Sequence, residues 1–207
     1  MQNYNYEEAL QKFREKRRYE IHDGKIYFMA VPKRKHSEIV ANLMRTFGAY
    51  IKGGKCRVYG ENMNVIFEKG EKQFLPDIKI VCNPDIIKDD GIYGAPDLIV
   101  EILSQRTRKN DLGYKKDVYE KYGVKEYWII DPNDRSIQVY LLYENKYVLA
   151  NVYSLYREDE LESVLNDMEE FDEEQGKFVK GEIIYEFKTS LYDDLIIKLE
   201  DVFENID

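Results

Sequence analysis

Two cysteines in 207 residues are too few for a disulfide scaffold. Cys56 and Cys82 also stand in no C-x-x-C arrangement of the kind that holds zinc, so the expectation is two separate, half-buried thiols. No stretch approaches the roughly 18 uninterrupted apolar residues of a membrane span. The opening MQNYNYEEALQKFREKRRYE lacks the apolar centre of a secretory leader. Together these absences set the expectation of a cytoplasmic protein with no membrane partner. Internal repeats and low-complexity linkers are absent too, which makes one sizeable domain, with or without an appendage, the default reading.

Charge is plentiful and unevenly placed. The net charge is −9. Residues 151–207 carry 5 Lys and Arg against 18 Asp and Glu, which leaves 26 against 22 of the chain's 31 and 40 for residues 1–150. The acidity therefore belongs to the last quarter, chiefly REDELESVLNDMEEFDEEQG. KFREKRR, KRKH and RTRKN form basic clusters in the first part. Those clusters permit a polyanionic partner such as DNA, although short charge runs also serve as solvated faces.

Hydrophobic periodicity orders the chain. YEIHDGKIYFMA has an Asp23-Gly24 pair between two alternating runs, a hairpin signal. KHSEIVANLMRTFGAYI places His36, Val40, Leu43, Phe47 and Tyr50 at helical spacing, with His36 in the first turn. CRVYGENMNVIF and QFLPDIKIV flank EKGEK and read as a second hairpin. DLGYKKDVYEKYGV reads as a helix capped by Asp111 and ended by Gly123. KEYWIIDP is an apolar strand stopped by Pro132, RSIQVYLL and KYVLANVY a further hairpin, and TSLYDDLIIKLEDVF a closing strand or short helix. The sum is an α+β fold with a central mixed sheet flanked by helices.

APDLIVEILS contains the chemical anomaly. Glu101 lies among Leu98, Ile99, Val100, Ile102 and Leu103, where an unpaired carboxylate costs several kcal/mol to desolvate. A strand end with its acid turned to solvent is the plain alternative. Strand alternation puts Asp97 and Glu101 on one face but about 13 Å apart, too far to share one metal ion. A second carboxylate has to come from a neighbouring strand, and LPDIKIV supplies Asp77. If those strands are adjacent, the two acids define an oxygen-rich site suited to Mg²⁺ or Mn²⁺. Leu112, Lys115, Tyr119 and Tyr122 form the apolar stripe of the following helix, and its second member is a lysine. That lysine either snorkels to water or stands beside the carboxylates, where it can orient a metal-bound water and stabilise charge on a phosphate. His36 and Glu61 are outer candidates, with Asp97 beside them.

PDI at 76–78, APDLIVEILS at 95–104 and DLGYKKDVYEKYGVKEYWIIDP at 111–132, preceded by YEIHDGKIYFMA and KHSEIVANL, resemble the bacterial restriction-endonuclease-like family within the PD-(D/E)XK nucleases. The resemblance spans about residues 19–142. It implies a restriction-endonuclease-like α/β/α core over residues 1–150. Residues 151–207 then form an extension, with an acidic insertion at about 157–180 and a final segment packed on the core. It further implies a Mg²⁺- or Mn²⁺-dependent DNA endonuclease acting as a homodimer. Asp77 and Glu101 would be the metal-binding acids, the backbone carbonyl of Ile102 a further metal ligand, and Lys115 the catalytic lysine. Two departures stand out: the position two after the second acid is Leu103, where the wider superfamily has lysine, and Gln105 replaces the proline usual after LS. A non-catalytic binding module of the same fold is the competing reading. A protein-interaction role for the acidic segment, as a DNA mimic or autoinhibitor, is another.

Overall fold

The computed structural model describes residues 18–172, 177–180 and 183–206. Asp23 and Gly24 both take positive φ, 48° and 74°, the conformation a two-residue hairpin turn requires. Tyr19–His22 (β1) and Lys25–Phe28 (β2) pair around it, with His22 opposite Lys25. Arg34–Tyr50 forms helix α1, which buries Ile39, Leu43 and Phe47 completely. Val40 and Tyr50, expected on the inner stripe, lie further out. Asn42 explains the altered phase, because its buried side-chain amide donates to the carbonyls of Val202 and Glu204 and turns that face toward the C-terminal segment.

The second expected hairpin is real at its turn and wrong at its ends. Val65–Glu68 (β4) and Lys72–Phe74 (β5) pair antiparallel around the EKGEK turn, where Gly70 has φ 80°. Arg57–Gly60 (β3) and Ile78–Val81 (β6) instead pair with each other in a different sheet. The polar turn at 61–64 and Pro76, which has no N–H for a ladder, break each run into two strands.

Ile87–Lys88 (β7) and Gly91–Tyr93 (β8) complete the first sheet, and Leu98–Ile102 (β9) returns to the second. Next comes one continuous helix, α2, made of an α turn Arg108–Asn110, a π turn Asp111–Lys115 and an α segment Lys116–Tyr122. Gly123 ends it at φ 86°. Asp111 therefore does not cap the helix: helical phase begins at Arg108, and Asp111 is buried inside it. Glu126–Asp131 (β10) runs parallel to β9, so β9, α2 and β10 make a crossover unit. Ser136–Tyr143 (β11) and Lys146–Ser154 (β12) follow as an antiparallel pair. Glu158–Asp167 (α3) and the ladder of Glu169–Asp172 (β13) with Lys177–Lys180 (β14) occupy the acidic segment. Glu186–Lys188 (β15), Ile196–Lys198 (β16) and Leu199–Val202 (α4) close the chain.

The fold is the expected α+β arrangement of mixed sheet flanked by helices, and among the described residues its strands divide mainly into two six-stranded mixed sheets, with strand orders β2-β1-β5-β4-β8-β7 and β12-β11-β10-β9-β6-β3. One face of the second sheet packs Val100, Trp128 and Ile130 against α1 and against Phe187, Ile197 and Leu199 of the C-terminal segment. Its other face packs Ile99, Tyr127 and Ile129 against Tyr119 of α2 and Phe74 of the first sheet. No helix among the described residues is long and apolar enough to cross a membrane.

Cys56 and Cys82 form a disulfide, which corrects the expectation of separate thiols. The cause is register: β3 and β6 pair Arg57 with Val81, so the next residues outward, Cys56 and Cys82, stand side by side. Their separation of 26 residues in sequence hid that neighbourhood.

Candidate active site

The antiparallel register of β6 and β9 sets Ile78 opposite Val100 and Lys79 opposite Ile99. Extended by one residue it brings Asp77 opposite Glu101, the adjacency that the two apolar strands had to have. On the other side β3 sets Gly60 opposite Ile78, so Glu61 falls in the same row. Three carboxylates from three neighbouring strands therefore converge at one end of the sheet.

Asp77 is 5% exposed, and its Oδ2 accepts from the backbone N–H of Ile102 at 2.7 Å. The same oxygen lies 3.1 Å from Nε2 of His36, which α1 delivers from its first turn. His36 Nδ1 is 3.4 Å from Glu61 Oε1 without hydrogen-bond alignment, and both buried atoms lack a hydrogen-bond partner. Burial works against a charged His36, yet Asp77 and Glu61 hold its pKa above the usual value. His36, Glu61 and Asp77 each offer one ligand atom, all within 4.8 Å of one another, a group able to hold a metal ion. Arg18 steadies Glu61 from outside, 3.4 Å from Oε2 and donating to its backbone carbonyl at 3.2 Å.

Lys115 is 2% exposed and does not snorkel. Its Nζ lies 2.9 Å from Glu20 Oε1, 3.1 Å from Glu101 Oε1 and 3.4 Å from Asp111 Oδ1. Tyr119 OH also donates to Glu101 Oε1, at 2.7 Å. Burial opposes the ammonium, but Glu101, Glu20 and Asp111 hold its pKa well above the ordinary lysine value. Among the acids the outcome divides. Burial pushes Glu101 well up against the pull of Lys115, with Asp111, Asp77 and Glu20 adding repulsion. Burial raises Asp111 as well. Glu20 resists burial because Lys115, His22 and the Leu75 N–H all support its charge, and its pKa falls to about 2.

The π turn aims these groups. Asp111, Lys115 and Tyr119 recur every four residues and all face inward, whereas Leu112 and Tyr122, members of the expected stripe, are only half-buried. Asp97 is not part of the cluster. It sits at the other end of β9, where it accepts from Lys125 Nζ and the Cys82 N–H, each at 2.7 Å.

Two residues escaped the sequence reading. Glu20 gave no signal, since a glutamate in a short alternating strand is ordinary and its partner lies on a distant helix. Lys79 did give one: an ionisable group inside IKIV is the same anomaly as Glu101. It is fully buried and donates to the carbonyls of Gly60 and Pro76, both at 2.8 Å. Burial brings its pKa down to about 7, against the opposing pull of Glu101 and Asp77.

The cluster opens into a cleft of about 860 Å³. KRKH and RTRKN both contribute to its walls, through Lys33, Lys35, Arg106 and Asn110 among others. Of KFREKRR only Arg18 lies within the described residues, and it lines the same cleft.

The fold thus combines mixed sheets, acids clustered at one sheet end and a lysine within the helix of a β-α-β crossover. A crystal structure of a putative nuclease of the DUF820 group from Anabaena variabilis superposes with a TM-score of 0.62 at 21% identity, covering 89% of each chain, and so shares the fold. The chain belongs to the Uma2 family, described as putative restriction endonuclease, whose model matches residues 5–172. An uncharacterized protein of Synechocystis sp., slr1290, is 28% identical over 136 residues, 65% of this chain and 72% of the relative.

Proposed function

We propose that the chain is a divalent-metal-dependent DNA endonuclease acting through Asp77, Glu101 and Lys115, with residues 1–150 as its nuclease core. The observation that carries this reading is the placement of Asp77 opposite Glu101 on adjacent strands, with the buried Lys115 ammonium 3.1 Å from Glu101. The residues fit a cation. Glu61, Asp77 and Glu101 fall in one row across three adjacent strands. His36, Glu61 and Asp77 offer ligand atoms within 4.8 Å of one another, and the buried Glu61 Oε1 and His36 Nδ1 lack hydrogen-bond partners. Asp77, Glu101 and the Ile102 carbonyl would hold Mg²⁺, with His36 and Glu61 beside Asp77. The imidazole makes Mn²⁺ an equally good occupant. When bound, the cation supplies Lewis-acid polarisation and a lowered pKa for attacking water.

The protein's own groups supply the rest. Lys115, held charged by three carboxylates, presents a fixed positive centre for the developing charge of a phosphate under attack. Glu20 and Tyr119 fix the positions of Lys115 and Glu101. Lys33, Lys35 and Arg106 on the cleft walls are placed to contact the sugar-phosphate backbone. Cutting both strands of a two-fold symmetric duplex favours a homodimer.

The test is cleavage of supercoiled plasmid and of single-stranded DNA in Mg²⁺, Mn²⁺ or EDTA, by the parent and by Asp77→Asn, Glu101→Gln and Lys115→Met. Metal-dependent cutting lost in all three folded variants supports the proposal. No cutting by the parent and no Mn²⁺ binding would replace it with the non-catalytic binding module. Comparing the parent with a chain lacking residues 157–180 tests whether the acidic segment restrains DNA access.

A further inference from the structure

Lys79 sits in the middle of β6 between Ile78 and Ile80, fully buried. An apolar side chain there would match its neighbours and avoid the desolvation of an ammonium. Two features of its bonding give the lysine a purpose. Its acceptors are the carbonyls of Gly60 and Pro76, the residues immediately before Glu61 and Asp77. The regular pairing of β3 and β6 ends at Gly60 opposite Ile78, so Glu61 and Asp77 both stand just beyond the strand ladder. Arg18 on the Glu61 carbonyl and the Ile102 N–H on the Asp77 carboxylate hold each acid separately, whereas Lys79 bonds to both segments at once.

We propose that Lys79 is a positioning residue: the two hydrogen bonds from its side-chain nitrogen tie together the segments that present Glu61 and Asp77, and so set the spacing at which their carboxylates meet a cation. The inference rests on the metal-dependent reading of this site. Lys79 touches neither substrate nor metal and acts through backbone carbonyls. Loss of these two hydrogen bonds therefore weakens cation binding without removing any ligand, and excess metal recovers the activity. Residues that orient metal ligands typically change metal affinity about 10–100-fold when substituted.

Mn²⁺ titration by calorimetry, paired with plasmid cleavage across a range of Mn²⁺ concentrations, tests this. The proteins are the parent, Lys79→Met, Asp77→Asn and Ile80→Val. Ile80→Val perturbs the same strand on its opposite, apolar face and reports what simple destabilisation does. Lys79→Met is expected to bind Mn²⁺ about tenfold more weakly and to need correspondingly more metal for half-maximal cleavage. At saturating Mn²⁺ its cleavage rate should approach the parent's. Asp77→Asn should not recover at any concentration, and Ile80→Val should bind as the parent does. If Lys79→Met does not fold, Lys79→Gln retains an N–H donor and is expected to show a smaller loss in the same direction. Parent-like Mn²⁺ affinity in the folded Lys79 variant overturns the inference, even if its thermal stability is lower. A parent that binds no Mn²⁺ overturns the metal reading and this inference with it, so the two failures are distinguishable.

Discussion

Glu101 and Glu126 are both glutamates buried in apolar strands, on neighbouring β9 and β10, but they face opposite sides of one sheet. Glu126 is satisfied by neutral donors: Trp128 Nε1 at 2.6 Å and the N–H and Oγ of Ser190 at 2.8 and 2.5 Å. Its bonds tie β10 to the C-terminal segment. Glu101 instead meets a charged lysine and a tyrosine, and burial, joined by repulsion from Asp111 and Asp77, raises its pKa. A buried carboxylate in a strand is therefore not a functional signal by itself. What separates the two is the company of further ionisable groups and access to a cleft, which Glu101 lines and Glu126 does not.

The comparison breaks most visibly at Lys115. Lys115→Met leaves Glu20, Glu101 and Asp111 buried without their shared ammonium, and a loss of about 3–5 kcal/mol is expected in urea unfolding at neutral pH. The deficit should shrink in acid as those carboxyls take up protons. Second in size, Glu101→Gln should reduce metal-dependent cleavage on the order of 10²–10³-fold while thermal stability holds or rises, because burial already disfavours its charge. Glu126→Gln is the matched control. It should cut DNA as the parent does while losing about 1 kcal/mol of stability from imperfect hydrogen bonding.

The same control sharpens on titration. Burial raises the Glu126 pKa, so the folded protein holds this proton to higher pH than the unfolded chain does. Stability from this group therefore declines as pH rises from the ordinary value of 4.5 through the folded pKa. Glu126→Gln removes that slope, and melting temperatures of parent and variant measured across the range should change in separation accordingly. The smallest effect belongs to the cleft wall. Arg106→Ala should weaken DNA binding evenly across sequences and reduce the log–log salt slope by about one, read by fluorescence anisotropy at several salt concentrations.

Local patterns made much of this legible. The Asp23-Gly24 turn, the Gly123 stop and the hairpin of β11 and β12 all follow from residues adjacent in sequence. Asp77, Glu101 and Lys115 stood out because each violates an apolar pattern, and His36 and Glu61 lie beside Asp77 as outer candidates. The division into two sheets was not legible, since nothing local says that β3 skips β4 and β5 to pair with β6. The disulfide and the grouping of Glu20 with Lys115 were hidden for the same reason: both depend on long-range register. Asp97 misled because alternation gives the face of a strand but not which end carries the site.

The π turn at Asp111–Lys115 also bears on how this protein can change by insertion and deletion. A π turn holds an extra residue within a helical frame. Excising Gly113, whose added Cβ would meet nothing within 4 Å, would let an ordinary α-helix form there. Because the bulge absorbs that residue, the α turns on either side would keep their phase. Asp111 and Lys115, then three residues apart, would still share one helix face. A single codon lost from this turn would thus flatten the bulge while leaving the lysine beside its carboxylates, a kind of change that substitution scans do not sample.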